Sequence, residues 1–328
     1  MGTRRRAQWW LALMILCGAV GAGPAGAQVV PIGDAVERTP GKSGEINWTN
    51  GWVYATGLGA PPANAKPGQA RAMAQRAAYT VAVRNLLEVV KGIRVDSATL
   101  VENFIVTSDV IKTEVSGFVQ GAQVDKTDVK PDGGVEVTVK VPLYGGDALI
   151  GAFMGDKGIT PKELGPEAQG GQGYTGLVID ARGLWVKPAF FPSVVDEQGA
   201  VLYGPETVDR ATVERNGMVQ YKALPKDAKI SSFFGEEAYV IRPVQLSAGP
   251  REGRRPLKIK GADKAGALKA NLLISSDDAK KIRGDATMKS ALVRSKVVIV
   301  TDPLIGGMEG HAPQPEGLMV AQGGTRAP

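Results

Sequence analysis

Every second residue from Val135 to Val141 is a valine, and this alternation constrains the fold more than any other feature of the chain. Polar residues occupy the positions between the valines, so the segment has one apolar face and one polar face. Strict alternation of this kind is typical of a β-strand with one buried face. The preceding turn, Lys130 to Gly134, contains an Asp-Gly pair, which favours the positive φ of a hairpin. We therefore predict a hairpin that pairs Ala122 to Val129 with the valine strand.

The region before this hairpin predicts a long helix that covers the apolar face of the sheet. Pro67 opens the helical run, at a position where the N–H that proline lacks would have no intrahelical partner. Apolar side chains at helical spacing predict its buried face, which consists of Ala70, Met73, Ala74, Ala77 and Val81. Beyond Ala82 the apolar positions move to the opposite side, so the helix either bends there or is covered on two sides. Gly92 fits a C-terminal cap.

Glycine and proline are concentrated in three segments, which divide the chain into two folded regions. The predicted organisation is a flexible N-terminal segment 28–44, a domain 45–150, a linker 151–173, a second domain 174–303 and a disordered tail 304–328. The first domain is predicted to be α+β, with an antiparallel sheet packed by the long helix. The second is predicted to be a mixed α/β domain.

Strand and helix signals alternate in the second region. Trp185-Val186 is a predicted strand, and Val194 to Tyr203 is a predicted hairpin. Further along the chain, Leu272 to Ile274 precedes a helix whose first residues, Ser275 to Asp278, approximate a capping box. Together with the apolar run Val297 to Val300, these signals predict a strand–helix–strand crossover with parallel pairing.

The first 27 residues have the pattern of a secretory signal peptide. Arg4 to Arg6 form a positive n-region, and Trp9 to Val20 is an apolar run. Ala25 and Ala27 supply the small residues of a cleavage site, so the mature chain is predicted to begin at Gln28. The alternative is an uncleaved membrane anchor, which is disfavoured because a spanning helix needs about 20 apolar residues. The sequence therefore predicts an exported protein.

Export of this kind restricts the chemistry of the mature chain. Cleavage removes the only cysteine, Cys17, so no disulfide, thiolate nucleophile or cysteine metal site is expected. The single histidine, His311, lies in the predicted disordered tail, where no rigid frame holds it near a substrate. We therefore expect no catalytic residues, no cofactor and no metal site.

The charge balance excludes a nucleic-acid-binding protein. The chain has 39 basic and 33 acidic residues, and removing the three arginines of the signal segment leaves 36 basic residues. The remaining excess is small and dispersed along the chain, whereas nucleic-acid binding requires a concentrated basic surface.

Two groups of residues are candidate binding sites. Asp180 and Arg182 stand beside a predicted strand end, where they either face a ligand or form a local pair that stabilises a bulge. Trp48, Trp52 and Tyr54 either pack in the core or, on an exposed sheet face, anchor a protein contact.

The stretch from Gly57 to Leu143 carries a series of motifs. Gly-x-Gly at Gly57 to Gly59 precedes a proline-rich turn, which argues against a phosphate loop because proline lacks the N–H that binds phosphate. Ala-Arg-x-Met-Ala-x-Arg-Ala-Ala opens the helix at Ala70 to Ala78, and Val-x-Gly-Phe-Val-x-Gly follows at Val115 to Gly121. With the valine strand, these motifs resemble the twenty-kilodalton Lpp-type lipoprotein family, which includes the flagellar P protein and the N-terminal domain of the flagellar T-ring protein.

The resemblance implies an α+β domain and a non-enzymatic role in assemblies at or near the outer membrane. Envelope or flagellar proteins, or further copies of the chain, are the implied partners. Leu16 precedes Cys17 where a lipobox requires a small residue, so lipid attachment is not predicted. We therefore expect a structural or interaction protein in the periplasm or associated with the outer membrane. The alternatives are a periplasmic binding module for a small molecule, peptide or glycan, and a carboxylate-based hydrolase.

Overall fold

A computed structural model describes residues 33–38, 41, 43–155, 174–230, 238–241, 245–247 and 270–303. The predicted signal segment, its cleavage residues Ala25, Ala27 and Gln28, and the predicted tail 304–328 lie outside these ranges. The chain divides into the units 1–31 and 32–328, and the described residues all belong to the second unit. None of the described helices combines the length and the apolar composition that a membrane-spanning segment requires.

The first five described strands form an antiparallel sheet, in agreement with the predicted fold class. Their bounds are β1 (Val36–Arg38), β2 (Gly44–Asn47), β3 (Trp52–Gly59), β4 (Gln123–Val129) and β5 (Val135–Pro142). Their order is β1-β2-β3-β5-β4, and each neighbouring pair is antiparallel. The predicted hairpin is formed by β4 and β5, and its turn places Gly133 at φ 82°.

Three described helices, α1 (Pro67–Lys91), α2 (Val101–Thr107) and α3 (Asp109–Gln120), lie in the same region. As predicted, α1 begins at Pro67 and is capped by Gly92. Ser108 caps α3, where its side chain accepts a hydrogen bond from the Ile111 N–H at 3.4 Å. α2 has no clear signal in the sequence, because a helix of seven residues is too short to show helical periodicity.

The contact between α1 and β3 is made by alanine and glycine, and it differs from the predicted one. The main buried side chains of the helix follow one another at intervals of four residues and are Ala70, Ala74, Ala78, Ala82 and Leu86. Opposite them, Gly57 and Gly59 present bare backbone, so the helix approaches the strand closely. Met73 and Ala77, which were predicted on the buried face, are exposed. The small size of the facing residues therefore decides which side of α1 packs on the sheet.

The remaining described strands form two further sheets, and the predicted mixed α/β character of this region is confirmed. Their bounds are β6 (Gly176–Asp180), β7 (Val194–Asp196), β8 (Val201–Tyr203), β9 (Gln220–Ala223), β10 (Ala238–Ile241), β11 (Gln245–Ser247), β12 (Asn271–Ile274) and β13 (Val297–Thr301). One sheet is parallel, with the order β10-β6-β13-β9. The other is mixed, with the order β11-β12-β7-β8.

Three described helices accompany these strands, namely α4 (Arg210–Asn216), α5 (Ser276–Gly284) and α6 (Ala286–Val293). The predicted N-terminal cap of α5 is present, because Ser275 Oγ accepts a hydrogen bond from the Asp278 N–H at 3.1 Å. The predicted hairpin from Val194 to Tyr203 is also present, as β7 and β8.

Two predictions for this region are wrong. β12 and β13 belong to different sheets, so the segment between them is not the predicted crossover within one sheet. β13 instead pairs in parallel with β6 and β9. Trp185 lies in a turn, with φ 54°, and Val186 follows it in irregular structure. Both errors have one cause, because strand pairing depends on residues distant in sequence, and local apolar runs do not identify them.

Side chains from both predicted domains share one hydrophobic core. Trp48 meets Phe190 and Tyr221 edge-on, at ring-centroid distances of 5.8 and 5.7 Å. Phe153 stacks on Phe190 at 5.9 Å, although it lies in the predicted linker. Part of the predicted flexible segment 28–44 is also ordered, since β1 lies within it and pairs with β2. The core therefore includes residues from segments that were predicted to be flexible because they are rich in glycine and proline.

Asp196 ends β7 and anchors the turn to β8. Its carboxylate accepts hydrogen bonds from Arg283 Nη1 at 2.8 Å and from the backbone N–H groups of Gln198 and Ala200 at 3.0 and 2.8 Å. Burial opposes ionisation of Asp196, but these bonds outweigh burial and hold the pKa of this carboxyl below its ordinary value.

We expect Asp196→Asn to weaken the fold at neutral pH and to have a smaller effect in acid. A carboxyl whose pKa is lowered by folding stabilises the protein above its unfolded pKa, about 3.9, and this contribution is lost as the pH falls through the folded pKa. Urea unfolding near neutral pH and near pH 3 measures the difference from the wild type. Asp277→Asn is the control, because Asp277 is exposed. A difference of equal size at both pH values would contradict the prediction.

Candidate functional site

β3 carries one row of side chains on each face of the first sheet. The row that faces α1 is buried and consists of Val53, Ala55, Gly57 and Gly59. The opposite row, called the outer row, consists of Trp52, Tyr54, Thr56 and Leu58, and none of its members is buried. Leu58 at its end is 62% exposed. The alternation of β3 therefore leaves two aromatic rings on the face of the sheet that α1 does not cover.

Polar contacts hold the aromatic rings of the outer row. Lys140 Nζ lies 4.9 Å from the centroid of the Trp52 ring and 2.6 Å from Asp125 Oδ1. The hydrogen bond to Asp125 raises the pKa of Lys140, so the ammonium over the ring is charged at physiological pH. Asn50 Nδ2 donates a hydrogen bond to the Tyr54 hydroxyl at 3.3 Å. Both rings thus have defined neighbours while they remain partly accessible.

Trp48, the third aromatic residue considered as a contact anchor, lies in the core instead. Its side chain is 2% exposed, and its indole Nε1 donates to Glu37 Oε2 at 3.3 Å. The same carboxylate oxygen accepts a hydrogen bond from Arg94 Nη2, and Arg94 Nε donates to the Pro188 carbonyl at 2.7 Å. These contacts join β1 and Trp48 to the second region. Trp48 therefore stabilises the junction of the two regions and is not accessible to an outside partner.

Asp180 and Arg182 come together at the carboxyl edge of the parallel sheet. Arg182 Nε and Nη2 donate to the two carboxylate oxygens of Asp180 at 2.7 and 3.0 Å. Arg182 Nη1 donates to the carbonyls of Pro225 and Ala228 at 2.6 and 2.8 Å, in the segment after β9. Both charged side chains are more than nine-tenths buried. The pair therefore ties the end of β6 to the segment that follows β9.

Asp302 extends this network to a third strand. It follows β13, is buried, and accepts a hydrogen bond from the Gly183 N–H at 2.7 Å. Of the two interpretations of the Asp180–Arg182 pair, this geometry favours the structural one. The guanidinium of Arg182 donates to four acceptor atoms of the protein itself, which are two carbonyl oxygens and the two carboxylate oxygens of Asp180.

Trp185 is an exposed residue of the same edge, and local sequence patterns do not indicate this position. It lies in the loop after β6, is 50% exposed, and has φ 54°, a left-handed conformation that is rare for a bulky residue. Gly183, with φ 85°, supports the turn. Ligands of open parallel sheets bind outside the carboxyl ends of the strands, so Trp185 stands where a ligand contact is expected. The glycine signals the turn, but the apolar run Leu184 to Val186 resembles a strand.

Within the ranges that the structure describes, no group of three or more histidine, cysteine, aspartate or glutamate side chains is placed to hold a metal ion. His311 and the adjacent acids Glu236-Glu237 lie outside those ranges. The other acidic pair, Asp277-Asp278, occupies the first turn of α5, where negative charge stabilises a helix.

The second region is similar to a described domain. Residues 176–303 match the family model of Treponema pallidum Tp0624, second domain. The match begins at the first residue of β6 and ends just after β13, so it leaves the antiparallel sheet outside. It covers less than half of the chain. No curated protein matches the chain significantly.

Arg182→Lys is expected to destabilise the protein by about 2 kcal/mol, because one ammonium group cannot replace the bidentate bond to Asp180 together with the two bonds to carbonyls. Chemical denaturation measures this loss. Arg215→Lys on α4 is the matched control, since Arg215 is exposed and its Nε donates to the Ala211 carbonyl within its own helix, at 3.1 Å. Equal losses in the two variants would contradict the structural assignment of Arg182.

Proposed function

We propose that the protein is an exported, non-catalytic component of the bacterial envelope that binds protein partners at or near the outer membrane. The observation that carries the proposal is the outer row of β3, where Trp52 and Tyr54 are held on a face that α1 leaves uncovered. Aromatic side chains of this kind supply much of the binding energy of protein interfaces, because they bury a large area at a small cost in conformational entropy.

The N-terminal segment supports export. A positive n-region, an apolar run and the small residues Ala25 and Ala27 follow one another in the order that signal peptidase substrates require. A protein released by cleavage before Gln28 is located in the periplasm or associated with the outer membrane.

The resemblance to the twenty-kilodalton Lpp-type lipoprotein family supports the envelope location. Its Gly-x-Gly and alanine-rich motifs coincide with the contact between β3 and α1, where Gly57 and Gly59 face Ala74, Ala78 and Ala82. These motifs therefore have a physical reason, which is the close packing of a helix on a sheet. The flagellar members of the family make proteins of the flagellar base the first partners to examine.

A periplasmic binding module is the second candidate, and Trp185 is the observation that favours it. This half-exposed ring lies at the carboxyl edge of a parallel sheet, where small ligands commonly bind. A small molecule, peptide or glycan stacked on Trp185 would make the second region, not the outer row, the functional part of the protein.

Cross-linking in intact cells distinguishes the two candidates. The tagged wild-type protein is purified from the envelope fraction, and the proteins cross-linked to it are identified and quantified. We expect stoichiometric recovery of outer-membrane or flagellar basal components, and loss of that recovery in the double variant Trp52→Ala, Tyr54→Ala. Trp185→Ala is the matched control and is expected to retain the partners.

Two results would contradict the proposal. One is recovery of the wild type as a lone protein that a periplasmic ligand stabilises against heat, with the effect lost in Trp185→Ala; this result would establish the binding module. The other is N-terminal sequencing that finds Met1 in the envelope-extracted protein, which would exclude cleavage before Gln28.

A further inference from the structure

β4 is an edge strand that remains open on its outer side. Among the described strands it pairs only with β5. Six of its seven residues are exposed, and Asp128 is half-buried. An edge strand presents a row of backbone N–H and C=O groups that are free to pair with another chain. A bulge between Val124 and Lys126, with the charge of Lys126, restricts such pairing to a segment that fits the local twist.

Beside β4, the sheet extends beyond the helix that covers it. α1 packs on β3 and β5. The register places Val124 opposite Val139 and Val129 opposite Val135, on the face that α1 occupies over the neighbouring strands. Both β4 valines are nevertheless exposed, by 53% and 47%. They form an apolar ledge between α1 and the free edge of the sheet.

The space beside Val124, at one end of this ledge, is a groove of about 630 Å³, here called the α1–β4 groove. Ala72, Arg76 and Tyr79 line it from α1, and Val124 and Val137 line it from the sheet. The Tyr79 hydroxyl donates to the Ala122 carbonyl at 3.5 Å, so one wall is connected to the residue before β4.

The charge of the groove is positive. Among the residues that line it, Arg76 is the charged one, and none of these lining residues is acidic. Arg76 is exposed at the groove and forms no ion pair with any residue that the structure describes. The groove thus combines free backbone groups, an apolar ledge and an unpaired cation. These features match the backbone, the alternate apolar side chains and a carboxylate of an extended peptide.

We propose that the α1–β4 groove binds an extended segment of a partner protein, which adds to β4 as a further strand and places apolar side chains over Val124 and a carboxylate at Arg76. The proposal names the chemistry of a partner and so rests on the interaction function proposed above. A peptide fits better than a lipid or a nucleic acid, because only another backbone offers the alternating donors and acceptors of a strand edge.

The test selects random decapeptides displayed on phage against the purified wild-type protein. We expect enriched sequences in which apolar residues alternate and one acidic residue is retained. Synthetic peptides of the enriched sequence are then titrated against the variants Arg76→Glu and Val124→Lys, and each variant is expected to weaken binding by at least about tenfold. In an extended peptide, alternate backbone N–H groups point to opposite sides, and only one set can pair with β4. Methylating the nitrogens of that set is expected to abolish binding, and methylating the other set is expected to leave binding unchanged.

Matched controls lie on the same elements or on equivalent surfaces. Arg84→Glu reverses an exposed charge of α1 outside the groove, and Val106→Lys replaces an exposed valine of α2. Both are expected to bind the peptide as the wild type does. The proposal is overturned if no sequence is enriched, or if Arg76→Glu and Val124→Lys bind as the controls do. It is also overturned if sedimentation shows a dimer that Val124→Lys disrupts, since the edge would then pair with a second copy.

The failure of this proposal is distinguishable from the failure of the proposed function. Export and cross-linking through the outer row are measured in cells and do not involve the groove. If the peptide does not bind while partners are still recovered through Trp52 and Tyr54, only the groove proposal fails. If the protein is not exported while peptides bind the groove, only the envelope function fails.

Discussion

Gly59→Ala is expected to destabilise the protein by about 3 kcal/mol, because the added methyl group has no space between β3 and α1. A Cβ at Gly59 would lie 2.6 Å from the Ala78 nitrogen and closer still to the Ala74 carbonyl oxygen. These are backbone atoms of a helix, which cannot rotate away as a side chain can. The strand or the helix must therefore move, and the alanine packing along α1 is lost with it. Gly57→Ala is expected to act in the same way, through Ala78 and Ala82.

Urea unfolding of purified variants measures this effect, and α1 offers a matched control. Gly68 lies in the first turn of the helix with nothing within 4 Å of the position that a Cβ would occupy. Gly68→Ala should therefore stabilise the protein slightly, by about 0.5 kcal/mol, because alanine is the better helix former. If Gly59→Ala and Gly68→Ala had similar effects, the close approach of α1 to β3 would be wrong.

Trp48→Ala is expected to cost about 4 kcal/mol and to weaken both regions of the chain together. The indole is buried against Phe190 and Tyr221 of the second region and donates a hydrogen bond to Glu37. Its removal leaves a cavity in the shared core and takes one hydrogen bond from a carboxylate that Arg94 also contacts. Since one hydrophobic core contains side chains from both regions, we expect both regions to lose stability.

Amide hydrogen exchange, measured separately for each strand, identifies where this stability is lost. Amide protection of β3 and β13 should fall by a similar factor in Trp48→Ala, because a cooperative unit opens as a whole. Trp185→Ala removes an indole that is 50% exposed and is the control for a change of the same size at the surface. A loss confined to β3, with β13 unaffected, would show that the two regions unfold independently.

Predictions from local patterns were the most successful. The valine alternation in β5, the Asp-Gly turn, the proline at the start of α1 and the cap at Ser275 all have the predicted structure. Each of these signals depends on residues that lie close together in the sequence, within a single turn or a single strand. The physical cause is therefore contained in the segment itself.

Which candidate site residues are buried and which are accessible could not be predicted from the sequence. Trp48 and Trp52 stand four residues apart in similar surroundings, yet one is buried and the other is accessible. The difference comes from Phe190 and Tyr221, which contact Trp48 although they lie more than 140 residues away from it in the chain. Likewise, nothing local indicates that Arg94 meets Glu37.

The sequence by itself determined the β4–β5 hairpin, the start of α1, the cap of α5 and the α+β character of the fold, because these depend on short-range periodicity and turn chemistry. Tertiary structure decided which face of α1 packs on the sheet, that β12 and β13 enter different sheets, and that Trp48 belongs to the core. The reason is that burial and strand pairing minimise the free energy of the whole chain, so each residue takes its place through partners that its neighbours in sequence do not specify.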